Sequence, residues 1–268
     1  MLRCGITGHK GNLGKNFLKL NKNFRYIKFK GDMTKKKDIN SWLKNNEFDI
    51  LIHFAAIVPT NLVNKNYKKA IKVNFYGTKY LIDEIIKQKK NIKWFFFSSS
   101  SHVYKMKKNK INETSSTIPS SNYGKTKLLA ENYIRNKLQK SKIIFCIGRI
   151  FSIYDNTGKD FLIPNLLKKI NQKEKKLIFE NLNHYRDFLS TRQVSKIITF
   201  LWKKKFQGTI NIGSGFQTNI KTIVKKLALK SKKKIFFKDN KPTFLIADVS
   251  ELKRIGLKQK SLKLKGFF

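Results

Sequence analysis

The sequence predicts an α/β fold, a doubly wound parallel sheet with a smaller C-terminal lobe. Three observations predict it. Short apolar runs alternate with amphipathic helical stretches through residues 1–154. The first apolar run ends in a loop with Gly8, Gly11 and Gly14. A later run, "FFFSSSS", ends in serines ahead of a helical stretch that opens at Tyr123. Strands that alternate with helices bury a parallel sheet between two helical layers.

Each element has its own signal. Leu2 to Thr7 is a short apolar run that stops at glycine, as a buried strand does. Asn12 to Leu20 carries apolar residues at 13, 17, 18 and 20, a helical spacing. "RYIKFK", Arg25 to Lys30, alternates like a strand, and Asp38 to Asn46 reads as a helix. "FDILIHFAA", 48–56, is a buried strand. Tyr67 to Gln88 is one long amphipathic helix, followed by the buried strand 92–101. Tyr123 to Gln139 is helical, and 142–151 is strand again. Beyond Tyr154 the periodicity weakens. Helices are expected at 161–172, 191–203 and 219–229, with strands at 176–180, 208–212 and 234–237. The second half reads as a lobe interleaved with the end of the sheet.

Composition narrows the class. The chain has 268 residues, of which 40% are hydrophobic and 13% aromatic, enough for a large core. No apolar run approaches the roughly 20 residues of a membrane span. "MLRCGITG" enters a strand at once, so neither signal peptide nor membrane insertion is expected, and the location expected is cytoplasmic. Cys4 and Cys146 lie in strand-like runs and read as buried thiols; a disulfide framework and a cysteine metal site are not available. The net charge is +43, from 59 Lys and Arg against 16 Asp and Glu. The cations are nearly all Lys and spread along the chain. Dedicated nucleic-acid surfaces cluster Arg, whose planar fork suits phosphate and guanine. No specific nucleic acid is therefore expected, and the charge serves to attract an anionic substrate.

The glycine loop sits between a strand and a helix, the context of a dinucleotide cradle. The first glycine permits the tight turn, the second admits the pyrophosphate and the third lets helix and strand pack closely. An acid at the end of the second strand ordinarily binds the ribose 2′-hydroxyl. Here Lys28 and Lys30 stand in that region, Asp32 follows, and Lys10 lies in the loop. Cations there suit a 2′-phosphate, so NADP is expected, with NAD as the alternative. Tyr123 and Lys127 are four apart and share a helix face. An ammonium beside a phenol lowers its pKa from about 10, toward a usable acid/base. A serine hydroxyl beside them can hold the substrate oxygen.

These pieces resemble the extended short-chain dehydrogenase/reductases that act as sugar-nucleotide epimerases, dehydratases and reductases. The matching stretches, in family order, are "TGHKGNLG", "GDMT", "IHFAA", "VNFYGT", "SSSSHVY", "YGKTK", "RDF" and "NIGSG". The resemblance implies a Rossmann NAD(P)-binding domain at 1–154 and a substrate-binding lobe at 155–268. It implies cofactor contacts from Gly8, Lys10, Gly11, Asn12, Leu13, Gly14, Asp32, Met33, Ala55, Ala56, Asn74, Tyr123 and Lys127. Ser100, Tyr123 and Lys127 would be catalytic, and Ser100 and Arg186 would touch a nucleotide-sugar substrate. A homodimer is the expected assembly.

Departures refine the reaction. Ser101 and His102 stand where the dehydratases of this family carry Asp and Glu, so elimination of water is disfavoured. GDP-fucose synthases have Cys in place of His102, and an imidazole can move protons similarly; a polar packing role is the alternative for His102. The short segment before "GDMT" resembles dTDP-4-dehydrorhamnose reductases and GDP-fucose synthases, and "GHKG" resembles the basic loop of the latter. The expected activity is reduction of a 4-keto-6-deoxy nucleotide sugar. The alternatives are a nucleotide-sugar 4-epimerase with retained NAD, and a non-catalytic Rossmann regulator or nucleic-acid-binding protein.

Overall fold

The computed structural model of the chain describes residues 1–58, 60–155, 162–174, 176–229, 233–238 and 241–258. In chain order its first half contains β1 (Leu2–Thr7), α1 (Asn12–Leu20), β2 (Phe24–Lys28), α2 (Lys36–Lys44), β3 (Ile50–His53), α3 (Thr60–Lys65), α4 (Tyr67–Ile71), a π turn (Lys72–Tyr76), α5 (Gly77–Lys87), β4 (Trp94–Ser100), α6 (Asn122–Leu138) and β5 (Ile144–Ile150). The second half contains β6 (Ser152–Tyr154), α7 (Leu162–Ile170), β7 (Lys176–Glu180), β8 (His184–Arg186), β9 (Phe188–Ser190), α8 (Thr191–Lys203), β10 (Gly208–Ile212), β11 (Thr218–Asn219), α9 (Ile220–Ala228), β12 (Lys234–Lys238), β13 (Thr243–Leu245) and α10 (Ser250–Arg254).

The main sheet is six-stranded, in the order β10-β5-β4-β3-β1-β2, and every pairing in it is parallel. The doubly wound sheet expected from the sequence is there, with β10 from the second half of the chain on one edge. Strand β4 shows why it has two faces. Trp94 and Phe96 pack in one core, with Val194, Ile198 and Leu201 of α8. Phe95 and Phe97 pack in the other, with Ile82 of α5 and Ile134 of α6. Side chains alternate across a strand, so a continuous aromatic run fills both faces at once. Truncating one such ring to alanine costs about 3–5 kcal/mol. A third core, with Leu177 and Phe179 of β7 and Ile223 and Val224 of α9, forms apart from the sheet.

Two expectations change. The single helix over 67–88 is broken by the π turn, which widens the helix by one residue and turns Asn74 inward to the β3 exit loop. At its end Gly77 packs on Met33, whose carbonyl would lie 2.9 Å from an added Cβ. Between β3 and the expected start of the next helix lies the short helix α3, and β6, β8, β9, β11 and β13 add to the expected strands. Those strands have two or three residues, too few for alternation to register. Residue 161, the expected start of a helix, lies outside the described residues. Both cysteines are buried free thiols. Among the described residues no helix is long and apolar enough to cross a membrane.

Candidate active site

The carboxyl ends of the strands open into one cleft of about 740 Å³. One wall is the loop after β1. Gly8 has φ +68°, and a Cβ there would stand 2.5 Å from the Ala55 nitrogen. A Cβ at Gly14 would overlap the Gly8 carbonyl. Gly11 differs, because its Cβ would meet only the Gly8 carbonyl, at 3.3 Å. The rest of its surface is open, so a side chain would fill the cradle a ligand needs. Helix α1 begins at Gly11 with no side-chain cap, which leaves first-turn N–H groups for an anion. Gly8, Lys10, Gly11, Asn12, Leu13 and Gly14 all line the cleft. The loop thus fits a dinucleotide pyrophosphate.

Phe54, Ala55 and Ala56 continue that wall, and Ser98, Ser99, Ser100, His102, Tyr123 and Lys127 form the other. Ser100 ends β4, and its hydroxyl accepts from the His102 N–H at 3.2 Å. Ser121 caps α6 by accepting from the Gly124 N–H at 3.1 Å. A Cβ at Gly124 would overlap the His102 carbonyl, so glycine lets α6 bring Tyr123 against the serine turn. Ser100 and Tyr123 line the cleft together, and the serine hydroxyl exerts a stabilising pull on the phenolate form. Lys127, one turn further on, donates to the Ser98 carbonyl at 2.8 Å, and its ammonium lies 4.8 Å from the centre of the Phe97 ring.

The electrostatics differ from the expectation for the phenol. Burial pushes Tyr123 up to about 12, and the Ser100 hydroxyl only partly opposes it. Burial also pulls Lys127 down to about 7, against the field of Glu131. The ammonium is turned to Ser98 and does not lower the phenol's pKa. Glu131 is itself buried, accepting from Ser99 and paired with Arg149 at 2.8 Å.

His102 is partly buried with its ring 5.8 Å from that of Tyr123. Burial, then the charge of Arg186, depress it to about 4, so the imidazole is neutral near pH 7. Arg186 is held by the Tyr185 and Thr243 carbonyls at 2.9 and 3.1 Å and by the Thr243 hydroxyl at 2.9 Å. None of these partners is a carboxylate; burial lowers the guanidinium to about 10, so it stays charged near pH 7, and it lies off the residues that line the cleft. The adjacent Asp187 is buried and accepts from Ser214 N–H at 2.6 Å, Gly215 N–H at 2.8 Å and Ala247 N–H at 3.1 Å. It thereby ties "RDF" to "NIGSG".

Other anticipated residues lie off the cleft lining. Met33 is 6% exposed and belongs to the core. Asp32 is exposed, accepts from Thr34, and lines a neighbouring depression that shares Val73 with the cleft. Asn74 is buried: its amide oxygen accepts from Ile57 N–H at 2.7 Å, and its NH₂ donates to the Ile57 carbonyl and the Thr126 hydroxyl, each at 3.1 Å. Sequence reasoning passed over Ser98, Phe54, Ile150, Phe151 and Ile153, which also line the cleft. Their signal was position alone, at the carboxyl ends of strands, where open α/β sheets bind ligands.

Residues 5–213 match the NAD-dependent epimerase/dehydratase family. The chain belongs to that family. A GDP-6-deoxy-D-talose 4-dehydrogenase of Aggregatibacter actinomycetemcomitans is 26% identical over 97% of this chain and 90% of its own length. A human dTDP-D-glucose 4,6-dehydratase is 25% identical over 76% of this chain, which spans 58% of that enzyme. The structure of RMD from Pseudomonas aeruginosa complexed with NADPH superposes with TM-score 0.86, covering 98% of this chain and 96% of the other at 18% identity. At that identity the likeness is one of fold. A nicotinamide dinucleotide is the cofactor that family membership implies.

Proposed function

We propose that this enzyme is an NADP-dependent reductase of a 4-keto-6-deoxy nucleotide sugar. The observation that carries the proposal is the meeting of Ser100, Tyr123 and Lys127 with the glycine loop in one cleft. The dinucleotide would be held by Gly8, Gly11 and Gly14, with Ala55 and Ala56 along it, and its reduced nicotinamide would supply hydride. Tyr123, protonated throughout the physiological range, donates to the carbonyl oxygen as charge grows there. Ser100 hydrogen-bonds the same oxygen. Lys127 binds the ribose. Arg186, on the side of the second lobe at 155–268, takes the substrate diphosphate. Asp32, in the depression that shares Val73 with the cleft, would approach the adenine.

Charge supports NADP. His9 sits within the fields of Lys28, Lys10 and Lys30 together. This gathering of cations beside the loop suits a 2′-phosphate. The Aggregatibacter enzyme is named for oxidation–reduction at position 4 of a nucleotide-bound 6-deoxy sugar, which supports the substrate class.

The test is mass spectrometry of the nucleotide that co-purifies, followed by NADPH oxidation with a panel of nucleotide keto-sugars. Oxidation by a 4-keto-6-deoxy sugar nucleotide is the expected result. Tightly retained NAD, interconversion of C4 epimers and no net NADPH oxidation would replace this reading with a 4-epimerase.

A further inference from the structure

One buried polar chain has no part in the reaction as described above. His53 ends β3 and is fully buried, with its ring 5.7 Å from Phe97 and 6.4 Å from Phe95. Its Nδ1 lies 2.6 Å from the Thr7 hydroxyl and its Nε2 2.9 Å from the Thr78 hydroxyl. An apolar side chain would fill such a place without a desolvation penalty, so the imidazole needs a reason.

The direction of each hydrogen bond is fixed by its neighbours. Thr78 donates its only hydroxyl proton to the Asn74 carbonyl, 2.8 Å away. It can therefore only accept from His53, so Nε2 carries the ring proton. The Ala55 N–H donates to the Thr7 oxygen at 3.2 Å, and Thr7 then donates to the bare Nδ1. Burial and the nearby Lys127 charge keep the ring neutral. Protons thus point one way, from Ala55 through Thr7, His53 and Thr78 to Asn74.

Both ends matter. Ala55 lines the cofactor wall. Asn74 occupies the π turn, and its amide holds Ile57 and the Thr126 hydroxyl. Thr126 donates to the Tyr123 carbonyl at 2.8 Å. A second link leaves the same residue: the His53 carbonyl accepts from Ser98, whose own carbonyl accepts from Lys127.

We propose that His53 is a positioning residue, whose neutral Nε2-protonated ring locks the cofactor wall at Ala55 to the Asn74 turn and so sets where Tyr123 stands. The proposal rests on the reading of Tyr123 as the proton donor. Acid catalysis is sensitive to placement, and a shift of about 1 Å can cost on the order of 100-fold in rate. A relay with every donor and acceptor used has one low-energy geometry, which an apolar contact would not enforce.

The full chain tests it without ligand and then in turnover. In long-range ¹H–¹⁵N spectra of histidine-labelled protein, His53 should show a neutral Nε2-protonated ring that does not titrate between about pH 5 and 8. An Nδ1-protonated ring, or titration in that range, overturns the relay. Thr78→Val removes the link with little change of shape, and Thr78→Ser keeps it. The amide signals of Tyr123 and Gly124 should move in Thr78→Val and return in Thr78→Ser. Unmoved signals in Thr78→Val overturn the positioning role, whether or not the protein reduces any sugar. With an active substrate, kcat should fall about tenfold or more in Thr78→Val, with the KM for NADPH within about threefold, and recover in Thr78→Ser. Equal losses in both variants would mark the contact as merely structural. A parent that turns over no sugar sinks the proposed reduction and leaves the spectra to decide this inference.

Discussion

The Lys127 ammonium donates to the Ser98 carbonyl at 2.8 Å and stands 6.0 Å from the centre of the Tyr123 ring. It is thus held by backbone beside the phenol ring. Burial lowers its pKa from 10.5 to about 7. Between those values the unfolded chain binds a proton that the folded chain lacks, so stability rises with pH across that window. Lys127→Met deletes this dependence. The variant's thermal stability relative to the parent should be highest below pH 7 and decline toward about pH 10. Dinucleotide affinity and turnover should both fall. A stability difference that stays flat over that range removes the buried ammonium as its source.

Tyr123→Phe keeps the ring and removes the proton. The raised phenol pKa means that the acid is fully loaded at neutral pH, so the loss is one of chemistry and not of charge state. A fall in kcat of roughly 100-fold or more is expected, the scale of positioned acid catalysis. Affinity for the dinucleotide, titrated by fluorescence, should hardly change. Full activity in this variant contradicts the assignment of the whole site.

Much of this site was readable in the chain because its parts are local. Gly8, Gly11 and Gly14 lie within one turn, and Tyr123 and Lys127 within one helix, so spacing carries their geometry. The strands were readable for the same reason, since β4 needs an unbroken apolar run to fill both cores. What escaped depends on distant pairings. Asn74 turns inward only because a π turn meets the Ile57 loop. The Tyr123 pKa differs from the expectation because burial raises it and the Ser98 carbonyl holds the lysine, and a sequence shows neither. Arg186 gains its place from Thr243 on the neighbouring strand β13, 57 residues away.

Lys10→Ala should separate the two nicotinamide cofactors. His9 is lowered by burial and by Lys28, Lys10 and Lys30, a cluster of like charges at the end of β1 and β2. A 2′-phosphate placed there relieves their repulsion, and a ribose hydroxyl does not. A charge-assisted hydrogen bond is worth about 1.5–3 kcal/mol, so NADPH affinity should drop about tenfold or more while NADH affinity holds. Calorimetric titration of both, in parent and variant, reads this directly. Parent affinities that are equal, and unchanged in Lys10→Ala, end the preference for NADP.

His102 divides simple reduction from a reaction that also moves a proton beside the keto group. Burial and Arg186 hold it near 4, so above that pH the free enzyme has a neutral imidazole able to accept a proton, and below it that ability is lost. A diphosphate bound to Arg186 cancels one of the two causes, which raises the His102 pKa in the substrate complex. The acid limb of kcat, which reports the complex, should then lie at higher pH than that of kcat/KM, which reports the free enzyme. If His102 is the base, the parent should incorporate solvent deuterium beside the keto carbon. His102→Ala should abolish that incorporation while still reducing a substrate epimerised beforehand. Absence of deuterium in the parent's product takes His102 out of the chemistry. It would then be a packing partner of Tyr123, with its ring 5.8 Å away, and the enzyme would reduce its substrate without epimerising it.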